Sequence, residues 1–302
     1  MKKQFMTMLA VLSCGAVQAL PVGNPAAASL LCDGIFWEGH CGDMCDPCLT
    51  WCDAFSVRFG FWGDYQFNRY METNDSESKD VDTTRVISNA AYLVGNFWDR
   101  FDIYATLGTT QLQFWGDQGI WQASGPAPVT QTGAALFHLT TNTNFAWSVG
   151  ARGTIWECGC TSVGAEFQYL QSRPTLQFYD EYNNDATVEG RYRQHFTAGG
   201  YGIKYLDWQV GLGIAHRINL LVPYVAVRWS GAKAYLGSAN LRSNGVQAPG
   251  IANSATLVDL ETNKYWGYAV GVSLVDCEKM ALTVEGGFAS SVEASVIGEI
   301  RF

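Results

Sequence analysis

The sequence predicts an all-β protein, a transmembrane antiparallel up-and-down β-barrel with an even strand number, at least ten and roughly 12 to 16. Three observations predict this fold class. Apolar and polar residues alternate with a period of two, short and long connections alternate along the chain, and the last residue is aromatic. The composition agrees, because only 16% of the 302 residues are charged while 14% are aromatic. A chain without long apolar helices can cross a bilayer only as a closed barrel.

The first 19 residues are expected to be a cleaved signal peptide. Lys2 and Lys3 precede an apolar run that is too short to span a bilayer as a helix, and small residues precede the expected cleavage site after Ala19. An alternative is lipid attachment at Cys14. Both interpretations export the chain.

Three domains are therefore predicted along the chain. They are a signal peptide at 1–19, a periplasmic cysteine-rich segment at 20–52 and a transmembrane barrel at 53–302.

Period-two alternation is the main evidence for barrel strands. In the stretch 144–156, Trp147 and Val149 share one face of the predicted strand, whereas Ser148 and Arg152 share the other. One face suits lipid and the other suits water, and segments of about ten such residues are typical of a barrel wall. A soluble β-sandwich would alternate as well, so the connections must separate the two folds.

Ten strands are predicted, at 54–67, 85–97, 101–115, 143–156, 161–172, 205–216, 222–233, 264–275, 280–289 and 292–302. Short turns, such as 98–100, alternate with long polar links, such as 116–142, until a brief link at 290–291. Outer-membrane barrels place short turns in the periplasm and long loops outside. With both termini on the periplasmic side the strand number must be even. Further hairpins around 132–141 and 188–200 would raise it above ten.

The C-terminal strand ends on Phe302, which follows Ile300 and Val296 on one face of the strand. A terminal aromatic residue on an amphipathic last strand is the usual assembly tag of outer-membrane barrels, so Phe302 is the predicted barrel-assembly signal. The alternative is an ordinary final strand of a sandwich.

The polar face of the predicted strands supplies pore-lining candidates. These are Arg58, Arg152, Glu166, Gln168, Gln209, Arg228 and Glu285. In a hydrated lumen their charges would bias which ions pass. The alternative is that several of them form salt bridges that brace the barrel. Transport is expected to be passive diffusion, because the sequence contains no recognisable nucleotide-binding loop or other coupling motif.

Eight of the nine cysteines follow the predicted signal peptide, and an exported protein favours disulfides over reduced thiols. The disulfide candidates are Cys32, Cys41, Cys45, Cys48, Cys52, Cys158, Cys160 and Cys277. The spacing of Cys45 and Cys48 would suit zinc, but no second ligand pair follows at a zinc-site interval, so neither a metal nor another cofactor is expected. Cys158 and Cys160 are too close to bridge each other easily, which favours partners elsewhere in the fold or on another chain.

Charge and histidine positions argue against other function classes. Without Lys2 and Lys3, 17 basic residues stand against 28 acidic ones, and this net charge of −11 disfavours binding to nucleic acid. An enzyme is not expected, because no histidine lies in a catalytic or metal-binding signature. A further alternative is a non-conducting envelope scaffold or adhesin that the barrel anchors.

Several blocks are specific enough to indicate a family. They include LPVGNPA at 20–26, DGIFWEG at 33–39, CDPCLTWCDA at 45–54, NAAYLVGNFWDRFDIYATLG at 89–108, SVGARGTIWECGCTSVGAEFQYLQS at 148–172, NLLVPYVAVRWS at 219–230 and YAVGVSLVDCEKMALTVEG at 268–286. Together they resemble the chlamydial major outer membrane protein family. The resemblance implies a multi-pass porin in the lipid of the outer membrane, assembled as a homotrimer.

The same resemblance implies a structural role in the cell envelope, through disulfides to the protein itself and to cysteine-rich envelope partners. The matching cysteines are Cys45, Cys48, Cys52, Cys158 and Cys160. The chain departs from the family at Cys32 and Cys41, and its long links are shorter than the family's variable surface segments. These departures indicate a compact paralogue.

Overall fold

The structure is a computed structural model, and only part of the chain is described in it. The described residues are 17–18, 21–31, 35, 55–74, 80–116, 121–123, 135–183, 193–197, 202–237, 242–243 and 255–302. Within these residues, no helix is long and apolar enough to cross a membrane. Most of the predicted signal peptide lies outside the described residues, as do the predicted disulfide residues Cys32, Cys41, Cys45, Cys48 and Cys52.

Ten long antiparallel strands form a closed ring. They are β1 Phe55–Arg69, β2 Thr83–Phe97, β3 Phe101–Gly116, β4 Asn144–Cys158, β5 Thr161–Ser172, β6 Lys204–His216, β7 Leu221–Tyr235, β8 Trp266–Asp276, β9 Met280–Phe288 and β10 Ser291–Arg301. Each strand pairs with its neighbours in the sequence. The ring closes where β1 pairs with β10, with Arg58 opposite Arg301 and Arg69 opposite Ser291. The predicted barrel is confirmed, and it closes at ten strands, the predicted minimum, below the wider range of 12 to 16.

The alternation of side chains explains why these segments form a membrane wall. Along β4, Phe145 and Ile155 are exposed on the outer face, whereas Ser148 and Arg152 are buried on the inner face. A closed ring pairs the backbone groups of every strand, so the outer face can meet lipid without unpaired strand edges.

Short strands extend the wall at one end of the ring. They are Met71–Thr73, Asp80–Val81, Ala135–Thr141, Leu176–Asn183, Arg193–Thr197, Arg242–Ser243 and Leu260–Thr262. Two further short strands, Trp121–Ala123 and Ala255–Leu257, pair with each other in a separate two-stranded sheet. The two regions predicted to hold further hairpins contribute here. Ala135–Thr141 pairs with β3 and with Leu176–Asn183, which also pairs with Arg193–Thr197. These strands lengthen the wall and add no strand to the ring.

The two ends of the barrel differ in their connections. We call the end with the tight turns at 98–100, 159–160, 217–220 and 277–279 the turn end, and the opposite end, with the long connections, the loop end. Aromatic rings lie on the outer wall near both ends. The rings of Trp208, Trp229 and Trp266 contact one another toward the loop end, and Phe55 contacts Phe97 at the turn end. Such belts are typical of the two membrane interfaces.

The interior of the barrel has two parts. The loop half is filled by apolar side chains of the wall and its extensions, including Leu112, Phe114, Phe137, Leu139 and Tyr179. The turn half contains a separate segment, residues 21–31, whose only regular element is the short helix α1, Ala27–Leu30. Val17–Gln18 pairs with Val292 and Glu293 of β10.

Candidate functional site: the barrel lumen

The seven predicted pore-lining residues all lie on the inner face of the barrel strands. They are Arg58, Arg152, Glu166, Gln168, Gln209, Arg228 and Glu285. Each is buried, and no more than 8% of any of them is exposed. Their polar atoms therefore need partners within the lumen, because an unpaired buried charge is costly.

A four-residue ion cluster lies toward the turn end. Arg152 donates to Asp102 at 2.7 Å and to Glu299 at 3.1 Å. Arg58 donates to the same Asp102 oxygen at 3.3 Å, and the Asn96 amide donates to the other oxygen at 2.6 Å. The cluster joins β1, β2, β3, β4 and β10, so it braces one side of the ring. The sequence predicted both arginines and missed both carboxylates.

A second set of ion pairs lies toward the loop end. The Arg228 guanidinium is paired with Glu293 and also donates to Ser290 and Ser291. Arg69 donates to Asp207 at 3.2 Å. These pairs connect different strands of the wall. The sequence analysis left this bracing arrangement open as an alternative to a role in ion passage.

The remaining pore-lining candidates have tyrosine, serine or backbone partners. The Tyr104 hydroxyl donates to Glu166, and the Gln168 amide donates to the Ser148 hydroxyl at 3.1 Å. The Tyr224 hydroxyl donates to Glu285 at 2.6 Å. Partners on other strands are not visible in the alternation of any one strand.

Glu285 also binds the backbone of the segment 21–31. Its two oxygens accept the amide protons of Val22 and Gly23, each at 2.8 Å. Gln209 donates to the Pro21 carbonyl at 2.8 Å. The wall thus supplies both an acceptor, Glu285, and a donor, Gln209, to neighbouring peptide groups of the segment.

The other end of the segment receives donors from β1, β2 and β10. Arg58 donates to the carbonyl oxygens of Ala27 at 2.8 Å and Ala28 at 3.0 Å. Asn96 also donates to the Ala28 carbonyl, at 2.9 Å, and Arg301 donates to the Leu31 carbonyl. The segment therefore crosses the lumen from β6 to β1 and β2, and β9 and β10, which lie between them in the ring, also bind it.

This arrangement was not expected from the sequence, which assigned 20–52 to the periplasm. The described part of that segment, 21–31, lies inside the barrel because its peptide groups are bound by inward-facing wall residues. Ile35 is also described, and its amide donates to the Arg301 carbonyl at 3.2 Å. The location of the rest of 32–52 stays a prediction, and so does cleavage after Ala19.

The described cysteines lie at the turn end, outside the lumen. The thiols of Cys158, Cys160 and Cys277 are exposed. Cys160 and Cys277 line one shallow surface pocket on either side of the turn between β6 and β7. Within the described residues, no group of His, Cys, Asp and Glu side chains has the arrangement of a metal site.

The C-terminus lies at the same end. The Phe302 amide donates to the Val57 carbonyl at 3.0 Å and so continues the pairing of β10 with β1. In the adjacent turn, burial raises the pKa of the Asp99 carboxyl, and the Arg301 guanidinium, at 2.5 Å, opposes that shift.

Comparison with known proteins gives one consistent family. The family model described as Chlamydia major outer membrane protein matches residues 1–84 and 72–254. The major outer membrane porin of Chlamydia pneumoniae is 33% identical over 375 residues, which cover 96% of this chain and 96% of that protein. The major outer membrane porin, serovar A, of Chlamydia trachomatis is 33% identical over 392 residues, which cover 99% of each. Both alignments exceed the 302 residues of this chain, so the relatives carry insertions.

Among solved structures, the outer membrane protease OmpT from Escherichia coli has a TM-score of 0.40. It is 12% identical, and the match covers 85% of this chain and 99% of that chain. A likeness this weak carries no argument about activity.

Proposed function

Because the chain belongs to the Chlamydia major outer membrane protein family and is an outer-membrane β-barrel, we propose that it is a porin for passive diffusion of ions and small solutes. The observation that carries the proposal is 33% identity over nearly the whole chain to proteins named major outer membrane porin. Passive diffusion involves no chemical reaction, so no catalytic residue is assigned.

The inner wall supports a preference among ions. Arg152 and Glu166 lie on the inner faces of adjacent strands, and Arg228 and Glu285 lie on inner faces further round the ring. When water enters the lumen, these charges would act on passing ions at close range, where screening is weak. We propose that the seven inward polar residues set the ratio of cation to anion permeability.

The filled interior supports a second function, that of a non-conducting scaffold or adhesin anchored by the barrel. Inward side chains such as Phe114, Leu139 and Tyr205 are fully buried, and the segment 21–31 occupies the turn half. A barrel filled in this way would anchor a surface without passing solutes.

Current across a planar bilayer separates the two functions. Full-length protein refolded into detergent and inserted into the bilayer is expected to give discrete conductance steps as a porin. Arg152→Gln is expected to raise the permeability ratio of cations to anions, because it removes one inward positive charge. Absence of current from protein with native β content would contradict the porin and support the scaffold.

We also propose that disulfides link the protein into the envelope, to other copies of itself and to cysteine-rich partners. The exposed thiols of Cys158, Cys160 and Cys277 support this, because they lie at the turn end, which is predicted to face the oxidising periplasm. A homotrimer is the proposed assembly.

Gel electrophoresis without reductant tests the links. Protein extracted from the envelope is expected to migrate as covalent oligomers that collapse to monomers after reduction. Cys160→Ser and Cys277→Ser are each expected to reduce the oligomer bands, and Ser162→Ala on the neighbouring strand serves as the matched control. Monomers in both lanes would contradict the structural role and leave the porin proposal standing.

A further inference from the structure

We propose that the turn half of the lumen is a peptide-binding site for an uncharged stretch of mostly small residues, and that residues 21–31 of this chain are its occupant. This binding role goes beyond the proposed diffusion function, although the site lies in the same lumen. Its recognition groups bind peptide backbone, its surface is shaped by glycines, and its ligand lacks charge.

Backbone recognition is the first indication of a binding site. Glu285 accepts two successive amide protons, from Val22 and Gly23, as carboxylates do when they bind main-chain N–H groups. Arg58 donates to two successive carbonyl groups, those of Ala27 and Ala28. Opposite ends of the segment thus meet a negative and a positive wall group, which fixes the direction of the chain.

The wall opposite the segment has no side chains where the segment approaches most closely. A Cβ atom built at Gly211 would lie 2.6 Å from Val22 Cγ1, and its three nearest neighbours are all atoms of Val22. A Cβ at Gly164 would lie 2.0 Å from the Pro25 carbonyl oxygen, and one at Gly213 would lie 2.5 Å from Pro25 Cγ. Three inward glycines on β5 and β6 therefore form a groove that accepts Val22 and Pro25.

The occupant is matched to this groove in turn. Gly23 has a φ of +71°, which favours glycine, and a Cβ there would lie 3.3 Å from Glu166 Oε2. The Asn24 amide donates to the Val222 carbonyl at 3.1 Å and to Ser273 Oγ at 3.0 Å, while its oxygen accepts the Ala26 amide proton at 2.9 Å. The Gly-Asn pair thus specifies the turn by which the segment enters the groove.

Charge explains why the occupant must be neutral. Residues 21–31 read PVGNPAAASLL and contain no ionisable side chain. The lumen around the segment already holds the paired charges of Arg58, Arg152, Asp102 and Glu299. A further buried charge would need a partner of its own beside these pairs, whereas uncharged small residues need none. Leu30 and Leu31 add apolar contacts with Val222 and Tyr224.

Binding of a free peptide tests the site directly. The probe is a fluorescent synthetic peptide of residues 20–31, added to barrel protein that lacks 21–31, in detergent micelles. The peptide is expected to bind the shortened barrel, and to bind the full-length chain at least tenfold more weakly, because the tethered segment competes at high effective concentration. A peptide with Asn24→Leu is expected to lose about tenfold in affinity, since it lacks the three hydrogen bonds.

A matched pair of wall variants locates the binding. Gly211→Val is expected to lower the affinity of the shortened barrel for the peptide by about tenfold or more, because the new side chain occupies the position of Val22. Gly286→Val is the control, since a Cβ at Gly286 meets only the Glu293 carbonyl oxygen, at 3.7 Å. Equal affinity for both variants, or no binding to a shortened barrel with native circular dichroism, would overturn the proposal.

A cross-link in the full-length chain covers the case in which the shortened barrel fails to fold. A Cβ at position 211 would lie 3.6 Å from Val22 Cβ, within the separation of about 3.5–4.5 Å that disulfides require. Oxidation of the variant Val22→Cys/Gly211→Cys is expected to form a disulfide between positions 22 and 211. Mass spectrometry of the digested chain would detect it as two proteolytic fragments joined together. The variant Val22→Cys/Gly286→Cys is expected to form no such disulfide. Absence of the first cross-link would overturn the location of the segment in the groove.

Discussion

The two halves of the barrel interior are filled in different ways. In the loop half the filling belongs to the wall, since Leu112 and Phe114 are inward residues of β3 and pack with Phe137 and Leu139 of the wall extension. In the turn half the filling is a separate stretch of chain, 21–31, which wall side chains hold largely by its peptide groups.

This difference teaches how one small barrel can combine a permanent part with a replaceable part. Side chains of the strands cannot leave the loop half without unfolding the wall. Residues 21–31 form no strand, so we expect that the segment could leave the turn half while every strand pairing of the ring stays intact. The free energies of local opening within one protein span a wide range, and we expect the free energy of opening of the turn half to lie at the lower end.

The largest expected effect is on the loop half. Phe114→Ala is expected to lower the free energy of unfolding by about 3–5 kcal/mol, because Phe114 is fully buried and its removal leaves a cavity. Urea titration of the refolded barrel in lipid vesicles measures this loss. A loss below about 1 kcal/mol would contradict the difference between the two halves, since the loop half would then be loosely packed.

A smaller effect is expected in the turn half. Deleting residues 21–31 is expected to lower the free energy of unfolding by about 1–2 kcal/mol, because the cost of ordering the segment offsets most of its hydrogen bonds. The same variant is expected to pass a larger ion current than the full-length chain in a planar bilayer, because water then fills the turn half. Equal currents through the deletion variant and the full-length chain would show that the loop half, and not the segment 21–31, limits the passage of ions.

The smallest effect is expected outside the lumen. Arg217 and Glu278 form a salt bridge of 2.7 Å between two neighbouring turns, with side chains 37% and 34% exposed. Arg217→Ala is expected to cost less than about 1 kcal/mol, because water screens exposed pairs. The same urea titration gives the value, and raising the salt concentration should reduce it further. A loss comparable to that of Phe114→Ala would show that the turns contribute to stability as much as the interior does.

The wall was predictable from the sequence almost to the residue. The predicted strand 161–172 coincides with β5, and the predicted strand 264–275 begins two residues before β8, Trp266–Asp276. The reason is physical. Each strand must present apolar groups to lipid at every second position, and this alternation can be recognised within each strand's own sequence.

The contents of the lumen were predictable only in part. Alternation placed Arg58 and Arg152 on the inner face, and it could have placed Asp102, Glu293 and Glu299 there too, since they occupy the same phase of their strands. Which of these residues pair depends on ring size and strand tilt. Neither is encoded in a single strand.

The segment 21–31 escaped prediction for a different reason. It is held largely through peptide groups, which every residue carries, so its side chains show no period. Its clearest signals are glycines on other strands, Gly164 and Gly211, and these are hard to distinguish from ordinary strand glycines in the sequence. A site that recognises main chain leaves little trace in the composition of its ligand.

Closure at ten strands also limits the size of any solute. The bore of a β-barrel widens with strand number; eight strands leave room for little beyond side chains, and aqueous channels are typical of about 16 to 18. A ring of ten lies near the narrow end, where a single strand-width of polypeptide fills the cross-section. Even with the turn half emptied, we therefore expect hydrated ions and solutes no wider than a single polypeptide chain to enter, and folded peptides to be turned away.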